Sequence, residues 1–139
     1  MEIDNIDAFN ITAMEIFQQS LSCFPIPVNI DSIELAKVVI EFFETPKNNS
    51  DFQDTFSFLT DTADETLNWL HFEGFIRKCN SDSFGTTIVL TSKGLNAVNG
   101  TPSSVDDKKS FKEIFKLGLT NTTVATVAGV MVEFFKASS

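Results

Sequence analysis

The residues with the most chemical reach in this 139-residue chain are few: one histidine, His71, and two cysteines, Cys23 and Cys79. Catalysis and metal binding need several such groups held together. A structural zinc site takes about four nitrogen or sulfur ligands. No CxxC, HExxH, GxSxG, P-loop or GxGxxG pattern occurs. His71 stands beside Trp69 and Phe72, the setting of a partly buried structural histidine. Neither cysteine has an activating neighbour beyond Lys78, and a nucleophilic thiol needs one. A Cys23–Cys79 disulfide is open in principle, but two lone thiols without a secretory signal read as reduced core residues. The carboxylate pairs Asp61/Asp64 and Asp64/Glu65, and the run Asp106-Asp107, read as helix starts. There acids cap the first turn and complement the helix dipole. The sequence predicts no catalytic residue, no cofactor and no metal, and a protein that is not an enzyme.

Charge narrows the partners. Nineteen acids face ten bases, for a net charge of −9 and a pI near 4.4. Strong non-specific nucleic-acid binding needs Lys and Arg to neutralise phosphates, so this balance disfavours it. The charge is uneven. Residues 1–75 contain two bases, Lys37 and Lys47, while the remaining eight lie after residue 75. Two readings stand: oppositely charged faces of one domain, or an acidic face that docks a basic partner or a second copy. The acidic start, MEIDNIDAFN, lacks the basic, apolar make-up of a secretory signal, so a cytoplasmic location is expected. The sequons at Asn10, Asn48 and Asn121 are then chance matches.

These residues must be positioned by helices and one hairpin. Phe9, Ala13, Ile16, Phe17 and Leu21 repeat at helical spacing and predict a helix over 6–22, ended by Phe24-Pro-Ile-Pro. Val28-Asn-Ile30 suits a short strand. Asp31-Ser-Ile-Glu34 is a capping-box pattern and opens a helix to about Phe43. Residues 52–60 fit a helix through Phe52, Phe56 and Leu59, or a strand through Phe56 and Phe58; helix is favoured. Thr62-Ala-Asp-Glu65 predicts a new helix start, running to Phe72 and stopped by Gly74. Strands over 75–79 and 86–90 form a hairpin. Thr91 caps a short helix, 92–98, and residues 101–104 make a linker. Ser110-Phe-Lys-Glu113 opens a basic amphipathic helix, followed by the apolar tail TVATVAGVMVEFF. The expected fold class is α+β and mostly helical, with a domain over 1–100 and a helical extension over 101–139.

Within 6–98, the order helix, strand, helix, helix, hairpin resembles a winged helix-turn-helix domain. The match is carried by Leu70, Glu73, Gly74 and Phe75 at the end of the third helix, and by Leu90, Thr91 and Gly94 after the second hairpin strand. The layout is also similar to that of uncharacterised small bacterial or phage proteins, which bring no activity with them. The resemblance implies a winged-helix fold whose third helix is a recognition helix and whose hairpin is a wing. The segment 44–61 departs from it, being far longer than the usual turn of about three or four residues.

Three interaction readings follow. In the first, the recognition-helix face, Asp64, Glu65, Asn68 and His71, docks a protein. Its two carboxylates suit a basic partner, with Trp69 and Phe72 as anchors if they are exposed rather than packed under 44–61. In the second, a dimer binds DNA, with Arg77, Lys78 and Lys93 of the wing as phosphate contacts. These are few beside the roughly six to ten contacts of a strong binder. In the third, the tail self-associates through Val124, Ala125, Val127, Gly129, Met131 and Phe135, or else folds back on the first helix. Self-association predicts a homo-oligomer, with a dimer favoured, and a folded monomer once residues 119–139 are removed. The membrane version of this reading is weaker: the uncharged run ends at Glu133, short of the about 20 residues of a span, although Lys108, Lys109, Lys112 and Lys116 upstream suit anionic headgroups at a membrane surface. A non-enzymatic interaction or regulatory module leads, with the DNA-binding dimer second.

Overall fold

Helix α1 (Asn5–Cys23) is the axis of the molecule. Asp4 caps it by accepting from the backbone N–H groups of Ile6 and Asp7. Its buried residues run Ala8, Ile11, Thr12, Ala13, Met14, Ile16, Phe17, with Ser20 and Leu21 beyond. That set covers most of the helix circumference, so α1 must be packed on several sides. The computed structural model describes residues 3–43, 48–102, 109–118 and 122–138. Strand β1 (Val28–Ile30), helix α2 (Ser32–Phe42) and helix α3 (Asn49–Phe72) follow α1. Next come strands β2 (Ile76–Asp82) and β3 (Gly85–Leu90), and helices α4 (Ser92–Val98), α5 (Phe111–Leu117) and α6 (Val124–Ala137). The fold is α+β and mostly helical.

The three strands form an antiparallel sheet in the order β1-β3-β2. Val28 pairs with Ile88 and Ile30 with Thr86, while Ile76 pairs with Leu90 across the hairpin. The register slips between Lys78 and Asn80, at Cys79. Ile30, Ile76, Ile88 and Leu90 turn into the core.

Helix α3 differs from expectation. It starts at Asn48, whose side chain accepts from the Asp51 N–H at 2.7 Å, and not at Thr62. Thr62 lies mid-helix and donates its hydroxyl back to the Phe58 carbonyl at 2.8 Å. The capping pattern at 62–65 is overridden because Phe52, Phe56 and Leu59 pack against the core in the same helical phase as Ala63, Leu67 and Leu70. Burial of one continuous face outweighs a cap of about 1 kcal/mol. The extended alternative for 52–60 is thereby replaced by helix. Much of the long segment after α2 is helix too, although residues 44–47 lie outside the described residues.

The other end of α3 closes as expected. Gly74 has φ 87°, and the N–H groups of Gly74 and Phe75 return to the carbonyls of His71 and Leu70 at 3.1 and 2.9 Å. This is the double closure that a glycine at positive φ allows. Thr91 then locks the turn to α4. Its hydroxyl accepts from the Gly94 N–H at 3.0 Å and contacts the Gly74 and Phe75 carbonyls. A methyl group on Gly94 would overlap the Phe75 carbonyl oxygen.

The segment after residue 100 shares the core of the segment before it. Pro102 is buried, and residues 103–108, with Asp106-Asp107, lie outside the described residues. Ser110 and Glu113 form a reciprocal capping box at the start of α5. Phe17 of α1 stacks on Phe115 of α5 at 5.3 Å and meets Phe134 of α6 edge-on at 5.0 Å. Phe111 and Phe75 close around Phe134 at 5.1 and 5.6 Å. One continuous core runs from Ala8 to Phe134. The cysteines are outside it: both are free thiols, Cys23 half-buried and Cys79 exposed, which corrects their expected core position. No helix among the described residues is long and apolar enough to cross a membrane.

Candidate functional site

The four residues of the expected recognition face lie on the second half of α3. Asp64 and Glu65 are exposed, Asn68 and His71 half-buried. Asp64 accepts from the Ser32 hydroxyl of α2. His71 Nδ1 accepts from the Lys78 backbone N–H at 3.3 Å, so the imidazole ties α3 to β2. Asn68 Oδ1 accepts from Lys78 Nζ. The acids do not sit at a helix start. Asp61, Asp64 and Glu65 stand inside α3, where neither capping nor the dipole accounts for them. Like charges at i,i+4, as at 61 and 65, repel by about 0.2–0.5 kcal/mol.

Of the cations expected on a wing, Arg77 and Lys93 are exposed and Lys78 is half-buried. Lys93 Nζ donates to the Glu73 carbonyl at 2.7 Å and lies 4.6 Å from the centre of the Phe75 ring. Lys78 is directed to Asn68, and Arg77 is exposed.

The tail residues divide between two faces of α6. Val127 and Met131 are fully buried against the rest of the chain, at 0% exposure each. Phe135 is half-buried and touches Phe9, Trp69 and Phe75 at 5.1–5.7 Å between ring centres. Val124 is half-buried, while Ala125 and Gly129 are exposed and nothing lies within 4 Å of a methyl placed on Gly129. The stripe offered for self-association is thus largely committed to packing within the chain.

What the sequence did not delimit is a groove between the start of α1 and the outer face of α3. It holds about 720 Å³ and is lined by Ile6, Phe9, Phe58, Trp69 and Phe72, with Asn5, Thr62, Thr66 and Asn68 between them. Asp61 and Glu65 are the charged lining residues, and both are acids. Trp69 is 39% exposed and Phe72 81%. Trp69 is held from behind: Phe9 and Phe135 meet it edge-on at 5.2 and 5.1 Å, and Phe75 stacks on it at 6.3 Å. An aromatic ring fixed on one side and open on the other is a preorganised contact. Phe9 reads from sequence as core and Phe58 as part of an ambiguous segment. Only once 49–72 is one helix do 58, 62, 65, 69 and 72 fall on a single line.

No protein-family model, no curated protein and no solved structure matches this chain. Its function is therefore read from the groove itself. Among the described residues, no group of three or more His, Cys, Asp or Glu side chains is placed to hold a metal ion. The groove offers apolar surface and negative charge.

Proposed function

We propose that this protein is a non-enzymatic protein–protein interaction module of winged-helix type, and that it docks its partner in the α1–α3 groove. The observation that carries the reading is the exposure of Trp69 and Phe72 side by side in a groove with an apolar floor. Large exposed aromatics at the centre of a concave site supply most of the binding energy in typical interfaces. The winged-helix part draws support from the order α1-β1-α2-α3-β2-β3 and from the sheet order β1-β3-β2, in which the first strand joins the hairpin edge.

A dimeric DNA-binding regulator is the second reading, favoured by that same layout and by the exposed Arg77 on β2. The charges weigh against it. Asp64 and Glu65 occupy the face that would approach phosphates, and Lys78 and Lys93 are engaged within the chain.

A photo-crosslinking residue at position 72, expressed in the native cell, separates these readings, with the exposed position 33 of α2 as the control. The expected result is an adduct with another protein from position 72 and not from 33. An adduct of twice the chain mass would move the groove to self-association. Adducts with DNA alone, or none, would overturn the docking reading.

A further inference from the structure

We infer that the occupant of the groove is a cationic amphipathic helix, an inference that rests on the docking reading above. Three features select this class. The first is shape. The groove is walled by two helices, α1 and α3, and the lining residues include no strand. A strand-like peptide needs unpaired backbone groups to bond, and helix walls have none to give. A helix brings its backbone bonds with it and needs only side-chain contacts. The second is length. From Phe58 to Phe72 the wall runs about 21 Å, or about four helical turns, at 1.5 Å per residue. Phe58 stands at one end of that run and Trp69 and Phe72 at the other, so a partner stripe repeating every three to four residues over all four turns would meet both ends.

The third feature is charge. Asp61 and Glu65 stand one turn apart on the wall, exposed, and no lysine or arginine is among the lining residues. A partner with Lys or Arg flanking its apolar stripe would neutralise both acids and relieve their mutual repulsion. An acidic partner would add a third like charge to the same wall. Complementarity of this kind sets which partner is accepted and how fast it arrives more than the final affinity. The anchor surface itself would come from Trp69 and Phe72.

The chain carries its own reporter. Trp69 is its one tryptophan, and it has no tyrosine, so tryptophan emission reads the groove alone. Two synthetic helical peptides of about 16 residues, four turns and slightly more, serve as probes. Both carry leucine every three to four residues along their whole length; one has lysine flanking the stripe and its twin has glutamate. Full-length protein is titrated with each at low and high salt. The expected result is a blue shift of Trp69 with the lysine peptide, with affinity at least about tenfold above that for its twin at low salt. That preference should shrink with salt and fall by about three- to tenfold in an Asp61→Asn, Glu65→Gln double variant. Phe72→Ala should weaken the lysine peptide by about tenfold or more. All three substituted side chains are exposed, so far-ultraviolet circular dichroism and thermal melting should remain those of the parent protein.

Equal affinity for the twins, lost together in Phe72→Ala, would overturn the cationic assignment and leave the groove a docking site. Binding of the lysine peptide undiminished in Phe72→Ala would overturn the assignment by placing the contact elsewhere. No response to either peptide would overturn the helix assignment. In that case crosslinking from position 72 decides separately whether the docking reading stands.

Discussion

Phe72 and Glu15 illustrate opposite uses of a side chain. Phe72 is 81% exposed and supports little of the fold. Phe72→Ser is expected to change stability by no more than about 0.5 kcal/mol, the usual range for surface substitutions, while removing partner binding. Chemical denaturation alongside the peptide titration checks both halves. Glu15 lies on the largely buried α1, and burial pushes its carboxyl above the ordinary carboxylate range. The Gln19 side-chain amide, 3.5 Å away, pulls weakly the other way. A carboxyl with a raised folded-state pKa binds protons more tightly folded than unfolded. Its cost to stability is therefore absent below the unfolded pKa, and grows as pH rises through the folded one. Glu15→Gln is expected to raise the melting temperature at pH 7 and to lose that advantage near pH 4. Melting curves across this range test the sign; an advantage that is constant with pH would place the gain in packing.

At the scale of elements, α3 is the decisive one. Thr62-Ala-Asp-Glu65 has the local chemistry of a helix start, yet the helix runs through it from Asn49. Proline distinguishes the two arrangements. At Asp64, an exposed position, proline would be tolerated in a first turn but breaks a continuous helix. Asp64→Pro is expected to cost about 3 kcal/mol by denaturant unfolding. A loss below about 1 kcal/mol would put a helix boundary near 62. A second sensitive point is Gly94 of α4, which packs on the turn after α3, so that an added methyl meets the Phe75 carbonyl. Gly94→Ala is expected to destabilise by about 1–3 kcal/mol, the range for overpacking against structure that cannot yield. The Leu90-Thr91 and Gly94 features legible in the sequence thus have a local physical basis. Thr91 ties the α3 turn to α4, and Gly94 lets the two backbones touch.

At the scale of the whole molecule, the C-terminal helices belong to the core. Phe134 is fully buried among Phe17, Phe75, Phe111 and Phe115. Phe134→Ala is expected to cost about 3–5 kcal/mol. Removing residues 119–139 takes away Val127, Val130, Met131 and Phe134 together and uncovers one side of α1. The truncated chain is expected to lose cooperative thermal unfolding, the reverse of the folded monomer anticipated from treating the tail as an appendage. Calorimetry of that truncation decides between an appendage and a core element.

Local matters were legible from residue types alone. Helical spacing in 6–22, the caps at Asp31, Thr91 and Ser110, the stop at Gly74 and the hairpin all depend on neighbours a few residues away. Local sterics and hydrogen bonding settle these, so local residue types are enough to read them. Tertiary structure decided the rest. An apolar stripe such as Val127 and Met131 suits a partner chain or the chain's own α1 equally well, because burial is non-directional. The start of α3 was decided by Phe52, Phe56 and Leu59 meeting the core, a contact that outweighs a cap pattern within the helix. The groove exists because α1 and α3 lie side by side, bringing Ile6 and Phe9 to Trp69 and Phe72 across most of the chain's first half. Spacing along a sequence specifies which face of a helix a residue shares, and only packing specifies what that face meets.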